Sequence, residues 1–207
     1  LSASDAKSNK MDDLVRIYTE AITQSEQKLR NVLEDMLFDP DYYFYNFVPE
    51  KQTLGFAIIY SPEDSDYCLL EYMAVESADR SKGYGGKLFN SLTDAFSKKT
   101  MVIEVESPYQ PSEDHDIRVK RISFYSRNGS LRVVNLKYIL PLDMQGVPPE
   151  MLILLYSGMS KDSVPKEKIM SWIKDIYIRV YGCKEDDERL ATMGKNLPDK
   201  LPLLAEL

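Results

Sequence analysis

Apolar residues recur along this chain at helical or at strand spacing, and the spacing switches at definite places. Between Ser4 and Ile22, Leu14, Ile17, Ala21 and Ile22 fall at helical spacing, with Ser4 or Asp5 placed to cap the helix. A second helix is predicted from about Ser25 to Leu37. Leu29, Val32, Leu33 and Met36 give it an apolar face, and Asp39-Pro40 stops it. "YYFYNFV", Tyr42 to Val48, is aromatic and apolar as strands are. "PEKQ" turns the chain and "TLGFAIIY", Thr53 to Tyr60, returns it, which makes a hairpin. "YCLLEYMAV", Tyr67 to Val75, is apolar at both parities. That pattern predicts a strand covered on both faces and central in its sheet.

The helical period returns from Tyr84 to Ser97, where Leu88, Leu92, Ala95 and Phe96 make the expected buried stripe. "MVIEVES", Met101 to Ser107, is another strand. A strand, a helix and a strand in succession imply a parallel pair joined by a right-handed crossover. "PYQPSEDHD" is a polar loop, and "IRVKRISFYSRNG" a short helix stopped at Asn128-Gly129. "LRVVNLKYIL" and "MLILLYSG" are two further strands with the turn material "PLDMQGVPPE" between them. After Pro165 one amphipathic helix follows, with Ile169, Trp172, Ile173, Ile176 and Val180 on its apolar side and Gly182 closing it. The rest, from Cys183, is charged and then rich in Pro and Leu, an extension that packs on the domain or on a partner. The pattern describes an α/β (α+β) protein: a mixed, mostly antiparallel sheet with one parallel step, flanked by helices. Residues 1–160 form the main domain, and 161–207 a C-terminal helix and tail that extend it.

Composition narrows the classes. Lys plus Arg is 26 and Asp plus Glu is 33, a net charge of −7. So acidic a chain is a poor candidate for non-specific nucleic-acid binding, and suits a basic ligand better, although solubility alone accounts for the charge as well. The two cysteines, Cys68 and Cys183, have no ligand spacing; two reduced thiols in a cytoplasmic protein are the preferred reading over one bridge. His115 is the only histidine, so a Ser–His or Cys–His nucleophile scheme must use it, and a structural zinc site is not expected. No metal site of any kind is expected. The opening "LSASDAKSNK" is polar, without the look of a secretory signal, and no apolar run approaches the roughly 20 residues of a membrane span.

Candidate chemistry concentrates in "EYMAVESADRSKGYGGKLFNSL", where Gly83, Gly85 and Gly86 crowd together between a buried strand and a helix. Glycines there let a ligand reach backbone N–H groups at the positive end of the helix, a place that binds phosphate. Arg80 and Lys82 add positive charge. A nucleotide P-loop is excluded, because Gly86-Lys87 is followed by Leu88 rather than Ser or Thr; Leu88 also occupies the third glycine's place in a dinucleotide fingerprint. A tight strand-to-helix turn with no ligand is the plainer alternative.

"RSKGYGG" after "LLEYMAV" resembles the Arg/Gln-x-x-Gly-x-Gly/Ala loop of the GNAT (Gcn5-related) N-acetyltransferase superfamily. "RISFYSRNG", Arg121 to Gly129, resembles that superfamily's later helix, in which Phe-Tyr is followed three residues later by Gly. The order of elements is similar too, apart from a first strand that would lie at or before Leu1. "IYTEAI", "VIEVESP" and the Arg-Ile-x-Phe-Tyr run look like a group of uncharacterised bacterial members. The resemblance covers roughly Ser4 to Gly158 and leaves out the stretch from Lys161.

The resemblance implies the GNAT fold with a central, splayed parallel pair. It also implies acetyl-CoA as co-substrate, with direct acetyl transfer to an amine. Amino acid, polyamine, aminoglycoside and peptide amines all stay open as acceptors, the acidic chain and its carboxylates tilting toward a small-molecule, cationic one, and a monomer or homodimer is expected. The diphosphate would sit on Arg80, Ser81, Lys82, Gly83, Tyr84, Gly85 and Gly86, and the pantetheine arm would pair with Met73, Ala74 and Val75. Tyr125 would be the acid that protonates the leaving thiolate, and a backbone N–H near Val75 the oxyanion donor; the alternative for Tyr125 is core packing. Glu71 is the expected base, because burial in an apolar strand raises a carboxyl pKa; a salt bridge is the alternative. Glu104 and Glu106 share one strand face and are rival bases or an anionic wall for a cationic acceptor. His115 and the basic run Arg118 to Arg121 read better as solvated surface, and "YYFYNF" as strand core. A non-catalytic acyl-CoA-binding or interaction module on the same fold is the competing reading of function.

Overall fold

A computed structural model describes residues 9–49, 52–142, 149–157 and 162–205. The expected cap at Ser4 or Asp5, the middle of the "PEKQ" turn, most of "PLDMQGVPPE" and Gly158 lie outside them. The chain divides into two compact units, Leu1–Lys99 and Thr100–Leu207.

The first unit begins with helix α1, Asn9–Ala21, whose Met11, Leu14, Ile17 and Tyr18 are buried. The predicted second helix is broken in two: a single 3₁₀ turn at Gln24–Glu26, then α2, Arg30–Met36. Leu33 and Met36 are buried as expected, but Leu29 is 72% exposed and Val32 38%. Leu29 sits in extended backbone as the N-cap of α2, so the helical spacing that put it on the apolar face does not operate there. Strands β1, Tyr42–Phe47, and β2, Gly55–Tyr60, form the expected antiparallel hairpin, Tyr42 opposite Tyr60 and Phe47 opposite Gly55. Tyr42 and Phe44 point into the core and Tyr43 outward, the alternation of a half-buried strand.

Strand β3, Tyr67–Val75, runs antiparallel to β2. Its first four residues are buried and the remaining five half-buried, so only its N-terminal half is covered on both faces. Gly55 opposes Val75, and a Cβ on Gly55 would lie 2.7 Å from the Ala74 carbonyl oxygen, so that position tolerates no side chain. A 3₁₀ turn, Ser77–Asp79, leads through the glycine loop into α3, Tyr84–Ala95. The buried stripe of α3 is Leu88, Phe89, Leu92 and Thr93. Ala95 is exposed and Phe96 half-buried, because the helix ends there. The Phe96 ring instead packs edge-on against Tyr43 and Tyr45 of β1, 5.5 and 6.1 Å between centroids.

In the second unit β4, Thr100–Glu106, pairs antiparallel with β6, Met151–Tyr156. Helix α4, His115–Arg127, starts two residues earlier than its apolar pattern predicts and stops as expected at Asn128, with Gly129 at φ 90°. The predicted strand "LRVVNLKYIL" shortens to β5, Leu131–Val133; Asn135 turns the chain at φ 68°, and Tyr138 returns for an isolated bridge to Met151. Next come β7, Ser163–Pro165, and α5, Lys166–Arg179, with Ile169, Trp172, Ile173, Ile176 and also Tyr177 buried. The tail holds a short helix α6, Glu188–Gly194, and β8, Lys200–Leu204. β8 pairs antiparallel with both β5 and β7. Alternate residues of β8 therefore turn inward, Leu201 at 0% exposure and Leu203 at 9%.

Both cysteines are free thiols, Cys68 buried and Cys183 half-exposed. Burial pushes the Cys68 thiol up to about 12.

Leu201→Ala, close to the end of the chain, removes a fully buried side chain from the strand joining β5 and β7. We expect it to destabilise the protein by about 2–5 kcal/mol in urea unfolding. A value under about 0.5 kcal/mol would mean that the C-terminal strand is dispensable to the fold.

Candidate active site

The candidate residues fall in both units. In the first, β3 breaks its own register: Ile58 pairs with Tyr72 but Ile59 with Leu70, so Glu71 is an extra residue, a β-bulge. Consecutive side chains of a regular strand point to opposite faces. At the bulge Glu71 and Tyr72 both reach the segment that follows α1. The Glu71 carboxylate, 5% exposed, meets the Lys28 ammonium at 3.0 Å through Oε1. Tyr72 donates its hydroxyl to the Glu26 carbonyl, 3.0 Å. The Tyr18 hydroxyl accepts from the Lys28 backbone N–H at 2.7 Å, and the Tyr18 ring stands edge-on to Tyr72, centroids 5.0 Å apart.

Glu71 Oε2 is buried without a hydrogen-bond partner. Desolvation raises the Glu71 pKa above its ordinary 4.5, and Lys28 opposes the rise. The salt bridge expected as the alternative for Glu71 therefore exists, while one of its oxygens keeps an unused acceptor. Sequence reading did not find Lys28. An isolated Glu in an apolar strand announces that it needs a cation, but not which of 26 Lys and Arg supplies it.

Past the bulge, Met73, Ala74 and Val75 are half-buried and continue the ladder with Ala57, Phe56 and Gly55. Arg80 bends back so that its Nε donates to the Val75 carbonyl, 3.4 Å. Ser81 and Gly83 both take left-handed backbone, φ 65° and 81°. Gly83 is the N-cap of α3 with no side-chain cap, and the first turn of α3 carries no acidic residue. An α-helix leaves its first N–H groups without intrahelical partners, so the N–H groups of Tyr84, Gly85 and Gly86 open toward the loop. With Arg80 beside them and no side chain on Gly83, Gly85 or Gly86, these residues fit a diphosphate. Lys82 is exposed and pairs with Asp79 at 2.7 Å, close enough to the loop to add to its field.

In the second unit, Glu104 and Glu106 are both engaged. Glu104 accepts from the hydroxyls of Tyr138 and Tyr181, the latter at 2.6 Å. Glu106 is paired with Arg118 at 3.1 Å and Arg121 at 3.5 Å. Arg118, expected on a solvated helix face, is only 8% exposed, drawn inward by that carboxylate and by the Ser107 carbonyl. His115 is an exposed residue at the start of α4, as expected of a surface histidine. Tyr125 is 8% exposed, with Phe124 edge-on to it at 5.1 Å. Burial pushes its phenol up to about 12, with Arg121 working against the shift. Tyr125 is therefore a neutral phenol, carrying a proton, throughout the physiological range.

The family model for GNAT-family acetyltransferases matches residues 10–129, more than half of the chain. The chain belongs to the GNAT acetyltransferase family. It has the GNAT fold, and the solved structures similar to it include several of that family. A Bacteroides thetaiotaomicron protein assigned to the GNAT family aligns with TM-score 0.70 at 21% identity, over 89% of this chain and 97% of that one. The Escherichia coli ribosomal-protein-S18-alanine N-acetyltransferase aligns with TM-score 0.55 at 14% identity, over 75% and 94%. An aminoglycoside 6'-N-acetyltransferase complexed with coenzyme A aligns with TM-score 0.52 at 15% identity, over 73% and 92%. No curated protein matches the chain in sequence. Among the described residues of this GNAT member, no helix is long and apolar enough to cross a membrane.

Lys28→Met strands a buried carboxylate and should destabilise the protein by about 3 kcal/mol at pH 7, while the Lys28→Met/Glu71→Gln double variant recovers most of that loss. The raised Glu71 pKa fixes the sign of a pH effect. The folded state holds this proton more tightly than the unfolded chain, so its contribution is complete below about pH 4.5 and is lost as pH rises through the folded value. Wild type should therefore lose stability relative to Glu71→Gln between pH 4.5 and 8 in urea titrations. A constant difference across that range would contradict the raised pKa.

Proposed function

We propose that this chain is an acetyl-CoA-dependent N-acetyltransferase that moves an acetyl group directly to a primary amine. The observation that carries the reading is the Arg80–Gly86 turn. Its left-handed Gly83 opens α3 toward a diphosphate, and the turn follows β3 in a chain of this family. The aminoglycoside enzyme with coenzyme A bound has the same fold, which supports the same donor here.

In the proposed reaction the amine nitrogen attacks the thioester carbonyl carbon, the C–S bond breaks, and the thiolate leaves. The amine must shed a proton to attack and stay bound. Glu71 takes it, directly or through a water, with the Oε2 atom that Lys28 leaves unused; its raised pKa brings it toward the strength such a base needs. A backbone N–H near Val75 stabilises the oxyanion, and Tyr125 returns a proton to sulfur. A phenol held neutral by burial has that proton to give. Met73, Ala74 and Val75 hold the pantetheine arm through backbone groups.

The net charge of −7 favours a small cationic acceptor. Glu104 and Glu106 support that preference only through the field they add, since both carboxylates already have protein partners. The same observation favours a second reading, a GNAT-fold module that holds acyl-CoA without turning it over. Both readings place the protein in the cytoplasm, where acyl-CoA is supplied.

Release of free thiol from acetyl-CoA across a panel of amines, polyamines and aminoglycosides separates the two. The enzyme releases thiol with at least one amine, and Tyr125→Phe then lowers kcat by about 100-fold with little change in acetyl-CoA affinity. Binding of acetyl-CoA with no release for any amine would establish the module instead, and unchanged turnover in Tyr125→Phe would remove that residue from the mechanism.

A further inference from the structure

The ion pair at the β3 bulge sits in a closed setting within the first unit. Ile58 and Ile59 of β2 stand opposite the bulge and are fully buried. Three phenols feel the charge of Glu71: Tyr18 of α1, Tyr42 of β1 and Tyr72 of β3. Burial raises the pKa of all three, so they stay neutral in the physiological range. Further carboxylates act on these phenols, Glu26 on Tyr72, and Asp39 and Asp41 on Tyr42. Among the described residues, Lys28 is the one cation that acts on Glu71.

The segment that carries Lys28 is anchored on both sides of it. The Lys28 backbone N–H donates to the Tyr18 hydroxyl at 2.7 Å, and the Tyr72 hydroxyl donates to the Glu26 carbonyl at 3.0 Å. The Gln27 side-chain amide donates to the Thr19 and Ile22 carbonyls, 3.0 and 2.7 Å away, and ties the same segment to the end of α1. From that fixed backbone the ammonium meets Oε1 at 3.0 Å, while Oε2 is buried with no hydrogen-bond partner. Replacing a buried ion pair by apolar residues is often neutral or stabilising, so the fold by itself does not call for charge at these two positions. A proton acceptor does. The amine's proton can go to Oε2 only while Glu71 is ionised, and burial works against that state.

We propose that Lys28 is a positioning residue for acetyl transfer, which keeps Glu71 ionised through Oε1 and leaves Oε2 as the proton acceptor. This role rests on the acetyltransferase reading with Glu71 as base. In the step, an N–H bond of the amine breaks and its electron pair stays on nitrogen. The proton joins Oε2, and Glu71 becomes a neutral acid beside an unchanged ammonium. The same ammonium then favours loss of that proton to solvent, which readies Glu71 for the next turnover.

The pH dependence of thiol release, with the amine of the panel that releases most thiol, checks this role. kcat falls on the acid side as Glu71 is protonated. In Lys28→Met that acid limb should move up by about 1–2 pH units, with activity recovering as the pH is raised, because a carboxyl without its cation holds its proton to higher pH. Lys28→Arg, which restores a cation, should keep the limb close to that of wild type. Structural damage alone would lower kcat by the same factor at every pH. Carboxyl carbon NMR of the full-length protein without acetyl-CoA, with the Glu71 signal assigned by its loss in Glu71→Gln, reads the carboxyl directly. Its midpoint should rise in Lys28→Met, and also in Lys28→Gln, which keeps a hydrogen-bond donor but no charge and serves if the Met variant folds poorly. An unmoved Glu71 midpoint, or an acid limb that stays in place in the Met and Gln variants, would overturn the proposal. No thiol release with any amine, alongside a displaced midpoint, would instead remove the reaction, and with it the part of Lys28 in it, while the coupling between the two side chains stands.

Discussion

A carboxylate inside an apolar strand must find a cation or lose its charge, and the first unit is arranged around that constraint. Glu71 interrupts the ladder between β2 and β3 and meets Lys28, which enters from the turn after α1. The bulge lets Glu71 and Tyr72 reach the same side, so the charge pair arrives together with the Tyr18–Tyr72 edge contact and the hydrogen bond to Glu26. These contacts fasten α1 and the segment after it to the strand that ends at Val75. A feature that looks like a local irregularity thus sets where the helical layer sits and leaves one carboxylate oxygen buried and unsatisfied.

The second constraint is backbone. Ser81 and Gly83 in left-handed conformation reverse the chain between β3 and α3 and turn the N–H end of the helix outward. Recognition through N–H groups depends on backbone direction more than on side-chain identity. The family's solved structures share a fold with this chain at 14–21% identity. In the second unit the acidic side chains of β4 are engaged internally, Glu104 by hydrogen bonds from tyrosine hydroxyls and Glu106 by ion pairs with arginines. Stability and function compete for carboxylates there, and packing has taken those two.

The C-terminal residues show how much a composition-based reading compresses. Charged, then rich in Pro and Leu, they look like a tail. Folded, they give α6 and a strand that completes the sheet of the second unit between β5 and β7. Pro202 lies within β8, a strand of five residues whose burial alternates inward and outward. The period was present in "KLPLL", but five residues beside a proline are too few to separate a strand from a loop.

Sequence alone determined the elements whose period is long or whose punctuation is chemical. The β1–β2 hairpin, β3, the glycine loop with α3, the Asn128-Gly129 stop and the apolar face of α5 follow from side-chain spacing and from where glycine must stand. It also determined the family, because the loop and the Phe-Tyr helix are local motifs. Tertiary structure decided what depends on partners far along the chain: Lys28 as the cation for Glu71, the tyrosines around Glu104, the burial of Arg118, the exposure of Leu29 and the pairing of β8. Local periodicity records which face of an element is apolar. It carries no record of which distant residue will lie against that face, since that choice belongs to the packing of the whole unit.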